Sequence, residues 1–213
     1  RPYGSYVMEH VLFKVSFPAE FHAQTAVEAA FRLHPQVVSR LDDFERVEIT
    51  TQEAAVRIIN KTGPLYNPAD RDHCLQYMTA VGLIYGNLMA DDFEEERAAD
   101  PRIDRLRDKM VVFENPQFTR DYHNPEKRSI ANTVQVFFKD GRSTNPVTVE
   151  YPIGHPRRRE EAIPLIEEKF KANMATQFSP HQVQGFLELF GNLEKLENMA
   201  VDQFIGLMQT DLE

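Results

Sequence analysis

The chain has 213 residues, 42% of them hydrophobic and 27% charged, with a net charge of −9 at pH 7. That length buries a real core in one or two domains. The acidic balance argues against a general nucleic-acid or anionic-membrane surface, while a local basic pocket stays open. A single cysteine, Cys74, excludes an internal disulfide and a cysteine-based metal cluster and points to a reducing compartment. No apolar run is long enough to span a bilayer.

Residues 1–21 read as extended: Val7, Val11, Phe13, Val15 and Phe17 alternate with polar or smaller residues until Pro18. A helix follows over 23–33, with Ala26, Val27, Ala30 and Phe31 on one side, and His34-Pro35 is expected to break it. A strand is expected over 46–50, then a short helix capped by Thr51 and running through Ile58. Residues 63–77 are dense in signals. Gly63-Pro64 and Asn67-Pro68 mark turns, Asn67 is a natural N-cap with Pro68 at the first helical position, and Asp70 sits where a capping box places its acid. A helix from there to about Tyr85 puts His73 and Tyr77 four residues apart on one face.

Residues 91–108 are rich in charge and read as a solvated helical face, with a helix start at Asp100-Pro101. A short strand is expected at 111–113 and a polar loop at 118–127. Strands at 133–138 and 146–151 flank Asp140-Gly141, the clearest hairpin signal in the chain. The remainder reads as helices at 160–174, 179–196 and 201–208, the second opened by a Ser179/Gln182 capping box. The fold class is α+β, with a boundary at 154–158 separating a mixed domain, residues 1–155, from a helical segment, residues 156–213.

His73 and Tyr77 suit an acid–base pair and equally suit a core helix with satisfied polar tips. Asp70-Arg71-Asp72 reads as an ion-pair cluster. His22, His73 and His123 lack metal-motif spacing, so no metal site is expected, and Cys74 reads as a buried thiol. Gly154-His155-Pro156-Arg157-Arg158-Arg159 places positive side chains at a helix start, against the macrodipole. An anion held there would reconcile them. Pairing with Glu160, Glu161 or more distant acids would do so as well. Lys14 stands at a sheet edge in one reading and clamps a carboxylate or acts as a base in another. No P-loop, dinucleotide fingerprint or nucleophile elbow is present.

The run Phe13-Lys14-Val15-Ser16-Phe17-Pro18-Ala19-Glu20-Phe21-His22 through Ala30 resembles the opening of the second domain in the MmgE/PrpD family. Residues 63–77 and Glu150-Tyr151-Pro152-Ile153-Gly154-His155 with the following arginines resemble its PrpD branch. The resemblance covers essentially the whole chain. It implies a small α/β lid domain with a β-hairpin, followed by C-terminal helices that pack on a large helical domain absent from this chain. The implied reaction is loss of water from 2-methylcitrate to give 2-methyl-cis-aconitate, in propionate breakdown and without a cofactor. A homodimer in the bacterial cytoplasm or the mitochondrial matrix is implied, with a tricarboxylate as substrate and neither nucleic acid nor membrane as partner.

By the family pattern Lys14 and Tyr77 are catalytic, Lys14 stabilising a carboxylate or enolate and Tyr77 donating a proton or orienting the substrate. His73 is a further catalytic candidate. Arg71, His22, His155, Arg157 and Arg158 are candidates for substrate binding, and the main base is expected in the absent helical domain. Glu20 and Gln24 stand where many members carry Cys or His, which makes His22 a substitute for those groups.

Overall fold

The computed structural model describes residues 15–209, which divide into two compact units between Arg158 and Arg159. The first is organised by a four-stranded mixed sheet of order β2-β1-β3-β4, with β1 Phe44–Thr51, β2 Met110–Glu114, β3 Asn132–Phe138 and β4 Val147–Val149. β1 runs parallel to β2 and antiparallel to β3, and β3 pairs antiparallel with β4. Alternate residues of β3 are buried (Asn132, Val134, Val136, Phe138), the period-2 pattern of a strand with one face on the core. The hairpin turns at Asp140-Gly141, where Gly141 adopts φ +82, a region open to glycine at little cost.

Helix α1, Gln24–Val37, lays Ala26, Val27, Ala30 and Leu33 into the core. It does not break at His34-Pro35. Pro35 forfeits one main-chain hydrogen bond in the last turn, and the His34 ring anchors that end with Nδ1 3.0 Å from the Leu83 carbonyl. The short helix α2, Glu53–Ile58, is capped by Gln52 rather than Thr51: the Gln52 side chain accepts from the Ala55 N–H at 2.7 Å, while Thr51 is the last buried residue of β1.

Residues 63–77 form two helices instead of one. α3, Pro68–Asp72, starts as its signals require, with the Asn67 side chain accepting from the Asp70 N–H at 2.9 Å and Asp70 accepting from the Tyr66 N–H at 3.1 Å. The chain then leaves helical geometry at His73 and Cys74 before α4, Leu75–Tyr85, because the Leu75 N–H is bound to the Ile59 carbonyl at 2.8 Å. His73 and Tyr77 therefore do not share a helix face. His73 is half exposed beside Asp72, and Tyr77 is buried. The Tyr77 hydroxyl donates to the Asp92 carbonyl at 2.6 Å and its ring stacks on Phe93. Arg71, also buried, donates to the Phe93 carbonyl at 2.7 Å and to Glu95 at 2.8 Å. Both side chains thus hold the loop at 89–95 to the core. Cys74 is fully buried, as a structural thiol should be.

Beyond that loop come α5, Glu95–Ala98, and α6, Pro101–Arg107, the latter capped by Asp100. The Arg102 guanidinium, with the Tyr85 hydroxyl, holds the Asp100 carboxyl well below the usual carboxylate range. The expected loop at 118–127 is instead helix α7, Pro116–His123. Asn115 caps it by accepting from the Gln117 and Phe118 N–H groups, the same Asn-Pro start as at 67–68. The expected extended run over 1–14 lies outside the described residues, and 15–20 form no strand.

The second unit contains α8, Arg159–Met174; α9, Pro180–Phe190; α10, Leu193–Glu197; and α11, Val201–Gly206. The Ser179/Gln182 capping box opens α9. The single helix expected over 179–196 is interrupted at Gly191 and Asn192, where the Asn192 side chain caps α10 by accepting from the Lys195 N–H. Phe186 is the buried hub of this unit, ringed by Phe178, Phe190 and Phe204.

Two predictions concern the core. A Cβ on Gly82 would sit 2.9 Å from the Ala30 Cβ, so α1 and α4 approach as closely as they do because that side chain is missing. Gly82→Ala gains about 1 kcal/mol of helix propensity but overpacks two backbones at a cost of about 1–3 kcal/mol. Urea denaturation is expected to show a net loss of stability, and a gain would refute the close-packing argument. Burial pushes the Tyr77 hydroxyl up to about 12, above its unfolded value of about 10. The stability it contributes is complete below pH 10 and is lost as pH rises toward 12. Tyr77→Phe should cost about 1–2 kcal/mol at pH 8, by leaving the Asp92 carbonyl unpaired. It should also flatten the alkaline fall; an equally steep fall in the variant would contradict the assignment.

Candidate active site

Glu20 is the N-cap of a single 3-10 turn, Phe21–Ala23, that leads into α1. One carboxylate oxygen accepts from the His22 main-chain N–H at 2.7 Å, and the other lies 2.8 Å from His22 Nδ1. A residue two positions after its own cap is thereby gripped at both backbone and ring. On the far side of the imidazole, Nε2 lies 3.1 Å from the hydroxyl of Tyr122 on α7. The Glu20 and His22 side chains are each only 12% exposed. Burial works against the Glu20 charge, yet the His22 ring and N–H outweigh it and hold the carboxyl below its ordinary range. The His73 ring, in the α3–α4 break, is near enough to favour the ionised form as well.

Beneath this pair lies a buried polar junction. Asn132, heading β3, donates to the His22 carbonyl at 2.8 Å and to the Thr25 hydroxyl at 2.7 Å, and Thr25 donates in turn to the Ile130 carbonyl at 2.5 Å. Gln24 ties down the incoming chain by donating to the carbonyls of Phe17 and Ala19. Glu20 and Gln24 thus have distinct tasks: Glu20 binds the histidine, and Gln24 fixes the segment that delivers it.

The other candidates are arranged differently. Lys14 lies outside the described residues. Arg71 and Tyr77 spend their polar atoms on the loop at 89–95. Arg158 makes a two-pronged pair with Glu28 at 2.7 and 2.9 Å and also donates to the Tyr151 carbonyl. Arg157 donates to the Glu126 carbonyl at 2.7 Å and lies over the Tyr151 ring. His155 is buried against that ring, and its Nδ1 accepts from the Arg157 N–H at 3.1 Å. Burial, then the Arg157 charge, hold its pKa below the ordinary value. Of the sequence candidates, His22 is the one bonded to Glu20. Among the described residues no group of three or more His, Cys, Asp or Glu side chains is placed to hold a metal ion.

Sequence reasoning missed Tyr122. The signal was present in Asn115-Pro116, which predicts a helix start and a fixed side-chain direction through 123. The Glu20–His22 spacing was also legible, since an acid at an N-cap reaches the N–H two residues on.

The chain matches the MmgE/PrpD C-terminal domain over residues 17–195. It is 56% identical over 210 residues to the 2-methylcitrate dehydratase of Salmonella typhimurium, covering 97% of this chain and 44% of that protein. It is 53% identical to the 2-methylcitrate dehydratase of Cupriavidus necator, with 97% and 43% covered. It is 50% identical to the mitochondrial 2-methylcitrate dehydratase of Yarrowia lipolytica, with 97% and 40% covered. The chain therefore spans less than half the length of these curated relatives. With more than three quarters of its residues inside the matched domain, the chain belongs to the MmgE/PrpD family and contains its C-terminal domain.

Proposed function

We propose that this chain is the lid and tail of a hydro-lyase that removes water from 2-methylcitrate, giving 2-methyl-cis-aconitate. The identity of 50–56% to proteins of that name, sustained over 97% of the chain, carries the reading. The relatives named here include bacterial proteins and a mitochondrial one, and the reading suits either compartment. No helix among the described residues is long and apolar enough to cross a membrane.

Dehydration of a β-hydroxy acid needs cations on the carboxylates, a base for the C–H proton and an acid for the departing hydroxyl. In this reading His22 is the acid. Its Nε2 lies 3.1 Å from the Tyr122 hydroxyl, and the Glu20 carboxylate holds the ring through Nδ1. The C–O bond breaks with its electron pair on oxygen, oxygen takes the Nε2 proton, and water leaves. Lys14 is the cationic partner for a substrate carboxylate, and His73 is a further candidate for the site. The base comes from the part of the protein that this chain does not span. Tyr77 keeps a structural role, since its hydroxyl is already committed. The exposed Leu193, Val201 and Ile205 of the second unit suit packing against an additional helical domain, and a homodimer completes the assembly.

Residues 1–213 alone are expected to form no 2-methyl-cis-aconitate from 2-methylcitrate, and detectable conversion would sink the idea of a shared site. In the full-length polypeptide His22→Gln should lower kcat by about 100-fold; a near-native rate removes His22 from the chemistry. Arg158→Gln should leave KM within twofold while costing about 1–3 kcal/mol of stability, because it leaves the buried Glu28 with only its partly exposed Arg32 partner. A raised KM at unchanged stability would instead favour anion binding at 157–159.

A further inference from the structure

We infer that Glu20 is a positioning residue whose carboxylate fixes the tautomer of His22, so that Nε2 alone carries the proton exchanged with substrate. Tyr122 marks the place of the substrate hydroxyl on that nitrogen. The inference rests on the reading of His22 as the proton donor.

An ionised carboxylate only accepts hydrogen bonds. Both Glu20 oxygens are engaged by the turn that Glu20 caps, one by the His22 N–H at 2.7 Å and one by Nδ1 at 2.8 Å. Nδ1 must therefore carry hydrogen, and in the neutral ring Nε2 is then the bare nitrogen that accepts from the Tyr122 hydroxyl at 3.1 Å. Flipping the ring would put carbon against the carboxylate and against the phenol. The grip is set by the backbone, because Glu20 and His22 belong to one turn, and the Asn132 and Thr25 hydrogen bonds hold that turn to the sheet. The ionisable groups facing the pair are Tyr122 from α7 and His73 from the α3–α4 break.

The consequence is directional. After the imidazolium gives up a proton, the ring that remains is the Nδ1–H form already bound to Glu20. No reorientation is needed, and the released proton comes from the nitrogen beside the Tyr122 hydroxyl. Substrate binding moves that hydroxyl aside or shares the nitrogen with it. A cap that merely stabilised the helix start would bind the main-chain N–H and would not need the ring.

The test uses the full-length polypeptide with 2-methylcitrate. Glu20→Gln keeps size and the acceptor oxygen but lets an amide N–H face Nδ1, which favours the wrong tautomer. It should lower kcat by about 100-fold or more while KM stays within twofold. Glu20→Asp should restore at least a tenth of the wild-type kcat. In the wild type, nitrogen-15 NMR of labelled imidazoles should show neutral His22 protonated on Nδ1 and bare on Nε2, a readout that survives even if the variants fold poorly. Wild-type kcat in Glu20→Gln while His22→Gln is impaired would overturn the positioning role and leave His22 as the acid. A neutral His22 protonated on Nε2 would also overturn it. Full activity in His22→Gln would remove the underlying reading together with the inference.

Discussion

The first unit turns on one buried amide. Asn132 has no exposed surface, so its N–H groups must find partners inside the protein or cost the fold a few kcal/mol each. It finds them on the carbonyl of His22 and the hydroxyl of Thr25. The start of α1 is thereby pinned to the head of β3, residues more than a hundred positions apart in the chain. Hydrophobic packing between α1, α4 and the sheet supplies most of the energy, but it is non-directional. The amide sets where along the sheet the helix begins, and so where the turn carrying Glu20 and His22 projects. One junction thus serves both the fold and the site, and its geometry tolerates little change at either end.

A contrast inside residues 63–77 shows how polar groups on one segment are divided between structure and chemistry. Tyr77 and Arg71 are the more buried, and their hydrogen bonds run to main-chain carbonyls of the loop at 89–95 and, for Arg71, to the Glu95 carboxylate as well. Carbonyls cannot exchange protons at accessible pH, and these bonds hold the loop to the core. His73, by contrast, lies in a break between helices, half exposed and beside an acid. The break exists because the Leu75 N–H is taken by Ile59 from outside the helix. A tertiary hydrogen bond has overridden a local helical preference, and in doing so it has left His73 half exposed beside Asp72, outside α4.

Such overrides explain what was legible in the residues and what was not. The strands, the hairpin at Asp140-Gly141, and the starts at Asn67, Asp100 and Ser179 were readable because each depends on short-range chemistry. The continuation of α1 through Pro35 was not, since the His34 contact that secures it comes from α4. Tyr122 was hidden for a different reason. A polar composition over 118–127 suggested a loop, while the Asn115-Pro116 cap, one turn earlier, encoded the helix. The Glu20–His22 pair could be found from spacing alone. Its third member could not, because only the packing of α7 brings a hydroxyl to Nε2.

Two carboxylate pairs, one at the start of α1 and one on it, are buried to the same degree, and their partners separate their roles. Arg158 with Glu28 and His22 with Glu20 each leave about a tenth of the side chain exposed. The guanidinium meets its carboxylate in a fork that uses both acceptor oxygens, and it donates a further hydrogen bond to a main-chain carbonyl. Arginine stays charged at every relevant pH, so that arrangement stores structure but cannot pass a proton on. The imidazole meets its carboxylate through one nitrogen only, and its second nitrogen faces a hydroxyl, a group that both gives and accepts hydrogen. Equal burial thus yields a fastener in one case and, on the proposed reading, a proton-transfer group in the other. The deciding factor is the chemistry of the second face, which burial and sequence position do not reveal.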